Sequence, residues 1–85
     1  MNNEVARAKV LEAVLEEREM QDLLWGKQTH HPDYWWYKIA SEEHGEVAKA
    51  IYEMDGENLI TEIVQTCAVY FAWAEAILER SKHDK

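Results

Sequence analysis

Apolar residues recur along this chain at intervals of three and four, and nowhere with the strict alternation of a half-buried strand. Val5, Ala8, Leu11, Val14 and Leu15 form the first stripe, with Glu12, Glu16, Glu17 and Arg18 placed outside it. The spacing predicts a helix from about Asn3 to Trp25. Asn2 or Asn3 can cap its start, and Glu4 suits the positive end of the helix dipole. Gly26 stands where a left-handed residue ends a helix. Lys27 to His31 read as a polar connection, after which Pro32 occupies the first turn of a second helix running to about Met54. Asp55-Gly56 predicts a tight turn, and a third helix starts near Glu57 or Asn58 and continues to about Arg80. Lys82, His83, Asp84 and Lys85 read as a frayed tail. The expectation is one all-α domain over residues 1–85 with its core in about 3–80.

The third helix is apolar nearly all round. Leu59, Val69, Trp73 and Ile77 mark one face, and Ile60, Phe71, Ala74 and Leu78 another. A helix with no polar side is enclosed on every side. Three helices in one chain cannot easily enclose one of their own number, so a helical bundle completed by oligomerisation, as a homodimer or a tetramer, is expected. The 85 residues carry four tryptophans and four tyrosines, more apolar surface than one small bundle usually hides.

Against this pattern, three glutamates stand at apolar positions. Glu43 and Glu46 share a helical face with Trp36, Ile39, Ala50 and Met54, and Glu62 interrupts the third helix between Leu59, Thr66 and Val69. A buried carboxylate is costly unless it is paired or bound to a cation. Glu43 and Glu46 lie one turn apart, Glu62 is brought roughly opposite by antiparallel packing, and Gln65 adds a carbonyl oxygen three residues on. An all-oxygen donor set selects Mg²⁺ or Mn²⁺ over zinc. The plainer alternatives are a solvated acidic face and pairing with a buried lysine or arginine. A di-iron bundle wants a Glu-x-x-His repeat, which is absent, and His44 turns away from Glu43. Gly45, inside the second helix, costs about 1 kcal/mol relative to alanine and reads either as close approach of another backbone or a ligand or as a tolerated defect.

The formal net charge of −8 argues against binding a nucleic acid polymer or an anionic membrane surface. The most apolar segment, Leu59 to Leu78, is interrupted by Glu62, Gln65 and Glu75 and reads as a buried helix, not a membrane span. The first residues lack the unbroken apolar stretch of a secretory leader. Cys67, among Val64, Thr66, Ala68 and Val69, reads as a small core residue, and a lone thiol fits a reducing cytoplasm.

The segment Glu42-Glu43-x-x-Glu46, followed after a short gap by Glu62-x-x-Gln65, is similar to the signature of the MazG-like all-α nucleotide pyrophosphohydrolases, E-E-x-x-E, a spacer and E-x-x-D. Arg18-Glu19-x-Gln21, Trp25-Gly26-x-Gln28, His31-Pro32 and Trp35 resemble the lead-in to that motif in small members. Ala68-Val69 and Ala72-Trp73-x-Glu75 resemble the helix that follows it, so the likeness spans roughly residues 18 to 78. It implies a cytoplasmic enzyme that hydrolyses a nucleoside triphosphate to the monophosphate and pyrophosphate with Mg²⁺, as in house-cleaning of nucleotide pools. Glu43, Glu46 and Glu62 would be metal ligands. Glu42 would orient the attacking water or hold a second ion, and a glutamate near that water, Glu42 or Glu43, would act as base. Gln65 departs from the signature aspartate and is a weaker Mg²⁺ ligand, which leaves open a non-catalytic helical scaffold that binds a nucleotide or a partner protein. Trp25, Trp35, Trp36 and Tyr37 can stack a base or simply pack. Gln28, Asn58, His30 and His31 can hydrogen-bond a base or ribose, and Lys27, Lys38 and Lys49 are candidate phosphate contacts.

Overall fold

The computed structural model describes residues 3–83, with side chains through Ser81. The expected Asn2 cap and the tail residues Asp84 and Lys85 lie outside the described residues. The fold is all-α, with helices α1 (Asn3–Trp25), α2 (Asp33–Tyr52) and α3 (Gly56–His83), and the described residues contain no strand. The longest helix is central: α1 and α2 each pack on α3 and not on each other. No helix among the described residues is long and apolar enough to cross a membrane.

Each helix end has an identifiable cause. At the end of α1, Gly26 takes φ +69° and its amide donates to the Asp22 carbonyl at 2.9 Å, the left-handed cap anticipated there. Pro32 precedes α2 rather than entering it: its backbone is extended and its carbonyl accepts from the amide of Trp35 at 3.0 Å. The turn between α2 and α3 comes earlier than the expected Asp55-Gly56 turn, because α2 ends at Tyr52 and Met54 takes the left-handed conformation, with φ 57°. The amide of Met54 donates to the Ile51 carbonyl and that of Asp55 to the Ala50 carbonyl, each at 3.1 Å, which is a Schellman closure. Asp55 then caps α3 by accepting from the Asn58 amide at 3.2 Å, and Gly56 is already helical. At its far end α3 continues through Lys82 and His83, which were expected to fray.

The core is built from small residues. Trp36 and Ala40 of α2 meet Val69, Ala72 and Ala76 of α3, with Trp35, Ile39 and Trp73 packed around them. Alanines at the contact let the two helix axes approach closely. Asp33, in the first turn of α2, pins the pair by accepting from Trp73 Nε1 at 3.0 Å and from the Arg80 guanidinium at 2.7 Å. Of the α1 stripe only Val14 is buried, while Val5, Leu11 and Leu15 stay exposed. On α3 the face with Ile60, Phe71 and Leu78 is also exposed, so one chain does not enclose its central helix. Cys67, expected in the core, is exposed on that side, because the inward positions of its turn go to Thr66, Ala68 and Val69. A Cβ on Gly45 would meet nothing within 4 Å, so the close approach suggested there is not made within this chain.

Met54 is 91 % exposed and holds a conformation that costs a side-chain-bearing residue about 1–2 kcal/mol. Met54→Gly is therefore expected to raise stability by about 1 kcal/mol in urea denaturation. A loss of stability would show that the Met54 side chain has a packing partner outside the single chain.

Candidate functional site

The alanine seam places Glu43. It lies three residues beyond Ala40, so the face that packs on α3 carries its carboxyl inward, and the residue is half-buried. Burial raises its pKa, and the charges of Glu62, Glu46, Glu17 and Glu42 raise it further. Glu62 and Gln65 of α3 are likewise half-buried, whereas Glu42 and Glu46 are exposed in the single chain. Glu46 therefore sits at the margin of the stripe, not within it.

Glu17, expected on the outer face of α1, is instead half-buried and close enough for its charge to act on Glu43. The signal was present in the spacing: Glu17 follows by three residues Val14, the one buried residue of α1. Arg18 was also placed outside. Its side chain is only 13 % exposed and bonds Glu75 of α3 at 2.7 Å, Asp22 at 3.2 Å and Gln21 at 3.0 Å. This pair holds α1 against α3. Among the described residues no lysine, arginine or histidine forms an ion pair with Glu17, Glu42, Glu43, Glu46 or Glu62, so pairing with a buried cation does not account for Glu43. His44 turns away, as expected, and meets the Tyr70 hydroxyl at 3.1 Å.

Five carboxylates from three helices thus share one neighbourhood with no counter-charge among the described residues. Among the described residues, no three histidine, cysteine, aspartate or glutamate side chains converge closely enough to hold a metal ion. The carboxylates are neighbours in charge but are not gathered into a ligand set in the single chain. Oxygen donors of this kind suit Mg²⁺ or Mn²⁺ better than zinc, and Mg²⁺ commonly uses only one or two protein carboxylates with water and phosphate oxygens.

Beside the carboxylates lies a cleft of about 600 Å³ between the end of α1, the connection, the start of α2 and the second half of α3. Of the candidate substrate contacts, Trp25, Gln28 and Trp36 line it, and Lys49 and Asn58 do not. Those two are exposed and follow the helices toward the hairpin, one turn beyond Glu46 and one turn before Glu62. Ile39 lines the cleft and Glu43 is one turn further along α2, about 6 Å of helix rise. Cleft and carboxylates are therefore consecutive along one helix face.

The cleft wall is organised by aromatic contacts. His31 stacks on Trp35 with centroids 3.5 Å apart, and Trp35 meets Trp36 edge-on at 5.0 Å. Gln28 donates to the Trp25 carbonyl at 2.7 Å and accepts from His31 Nε2 at 2.7 Å, which fixes the proton on that nitrogen. Desolvation, and then the charge of His30, lower the His31 pKa. Trp36 is 5 % exposed, and its indole N–H is buried with no partner among the described residues. An orphaned buried donor costs about 1–3 kcal/mol.

No protein-family model matches the chain, and no curated protein or solved structure shows significant similarity to it.

The Glu43 shift has a definite sign. A carboxyl whose pKa is raised by folding contributes stability that is fully present below its unfolded pKa and is lost as pH rises through the folded value. Asp33 behaves oppositely: hydrogen bonds from Trp73 and then Arg80 lower its pKa, so its contribution is present above the unfolded value and lost as pH falls through the folded one. In EDTA, the melting temperature should rise on mild acidification toward the ordinary glutamate range and fall at lower pH. Glu43→Gln should melt a few degrees higher than wild type at neutral pH and lose the rise. Parallel pH profiles for the two proteins would contradict this assignment.

Proposed function

We infer that the chain is a Mg²⁺-dependent nucleotide pyrophosphohydrolase of MazG-like type, acting on a nucleoside triphosphate and assembled as a homodimer or tetramer. The observation that carries the reading is Glu43: a half-buried carboxyl surrounded by the charges of four other glutamates, with no cation paired to any of them among the described residues. A divalent ion would relieve that repulsion. Glu43, Glu46 and Glu62 would be its ligands, with the amide oxygen of Gln65 as a further donor, and their side chains would have to draw together around the ion. When bound, Mg²⁺ neutralises phosphate charge and lowers the pKa of coordinated water.

The chain's own residues supply the rest. The raised Glu43 carboxyl is suited to accepting a proton from an attacking water, and Glu42, one residue away and exposed, to orienting that water. Trp25, Gln28 and Trp36 bind the base end of the substrate in the cleft. Lys49 and Asn58, beyond the carboxylates, face the leaving end. Oligomerisation is supported by the exposed apolar faces of α1 and α3, which a second copy would cover. It would also bring the exposed Glu46 under cover. The open arrangement of the carboxylates and the neutral Gln65 favour one other reading, a scaffold that binds without turnover.

Pyrophosphate release from a panel of ordinary and modified nucleoside triphosphates distinguishes the two. Release is expected with Mg²⁺ or Mn²⁺ and not with EDTA. Glu43→Gln and Glu46→Gln should each lower it at least about a hundredfold while the helical spectrum is unchanged. Wild-type rates in both variants would refute the hydrolase reading. A folded protein silent across the panel would point to the scaffold, with Gln65→Asp the change expected to restore turnover.

A further inference from the structure

We propose that the aromatic cleft selects a nucleobase bearing an exocyclic amine over uracil or thymine, an inference that rests on the nucleotide reading above. Its volume of about 600 Å³ lies within the range of small-molecule sites. One stacking face is open. Trp35 is covered on one side by His31, and Trp36 is in the core, whereas Trp25 is 63 % exposed at the rim. A planar ring entering the cleft stacks on Trp25 and meets the apolar wall of Ile39 and Val69.

The polar lining then decides which ring. Asp22 and Glu75 each use one carboxylate oxygen to hold Arg18, and the second oxygen of each has no bond among the described residues. Gln21 spends its carbonyl oxygen on Arg18, so its amide N–H₂ remains available as a donor. The Trp36 indole lines the cleft, but its N–H is buried and has no partner among the described residues, so it reports on the cleft without being open to it. Open carboxylate acceptors therefore stand in the same cleft as the Gln21 donor. Cytosine and adenine present an amine beside a ring-nitrogen acceptor, and guanine presents an amine beside a ring N–H. Each places a donor against a carboxylate. Uracil and thymine offer a single N–H flanked by two carbonyl oxygens, which carboxylates repel on both sides.

Charge sets the orientation of the whole ligand. Arg18 and Lys27 in the lining are outnumbered by Asp22, Glu75 and Glu79, so the cleft does not favour phosphate. The base enters it, and the phosphates extend along α2 toward Glu43 and its cation.

Free nucleosides in EDTA test the cleft without metal or hydrolysis. The probe is the set of indole N–H signals in a ¹⁵N-labelled protein, assigned with Trp25→Phe and Trp36→Phe. Cytidine and adenosine should shift the Trp25 and Trp36 signals with dissociation constants at least about tenfold below those of uridine and thymidine, which is about 1.4 kcal/mol. Asp22→Asn should remove most of that preference with the other indole signals unmoved. Equal binding of uridine, or no response of these two signals to any nucleoside, would overturn the proposal. If metal-dependent pyrophosphate release persists in that case, the hydrolase reading stands and only the cleft assignment fails. Selective nucleoside binding without release would uphold the cleft and refute the hydrolase.

Discussion

The close approach of α2 to α3 over alanine is the constraint on which the rest depends. Ala40 packs with Ala72 and Ala76, and Trp36 closes the same seam. Larger residues there would hold the helices apart and leave Glu43 in water. With alanines, the next turn of α2 carries a carboxylate into a half-buried position, and Glu62 of α3 and Glu17 of α1 contribute charge to the same place. Stability and the candidate chemistry therefore oppose each other within a few residues, as is common where a site is prepared for a ligand.

The same seam leaves the single chain with little else to bury. Among the described residues, five of the eight buried apolar side chains are alanines, and Leu23, Leu24, Tyr34 and Leu78 lie on the surface. The transfer of apolar area from water is about 25 cal/mol per Å², so a core of alanines stabilises weakly while the large side chains outside contribute little. The Asp33–Trp73–Arg80 and Arg18–Glu75 contacts tie the helices at their ends, but the carboxylates of Asp33 and Glu75 remain exposed to solvent, which weakens both. A second copy covering α3 would supply the burial that one chain lacks.

Much of this is legible in the amino-acid sequence itself. Three helices follow from the apolar period, and the Gly26 cap from residue type alone. Glu43 stood out because it interrupts a greasy stripe. What was not legible depends on which helices touch. Glu17 and Arg18 looked external because α1 was read as though its broad stripe faced a core. In fact only the line through Val14 meets α3, and that line continues to Glu17 and Arg18. Cys67 looked internal because its neighbours are apolar, yet a helix apolar all round still turns only one side to the partners it has. Met54 rather than Gly56 carries the left-handed turn because the Schellman closure is set by where α2 ends, not by the nearest glycine. The orphaned Trp36 N–H follows from packing alone and has no signature in the chain.

The central claim is that the carboxylate group around Glu43 is a cation site. Thermal melts with and without Mg²⁺ test it most directly, with Na⁺ matched for ionic strength and a Glu43→Gln/Glu62→Gln double variant alongside. Specific binding stabilises the native state in proportion to the logarithm of free ion over its dissociation constant. Mg²⁺ is predicted to raise the wild-type melting temperature progressively and to leave that of the double variant unchanged. The same response in both proteins, or none in wild type, would contradict the account.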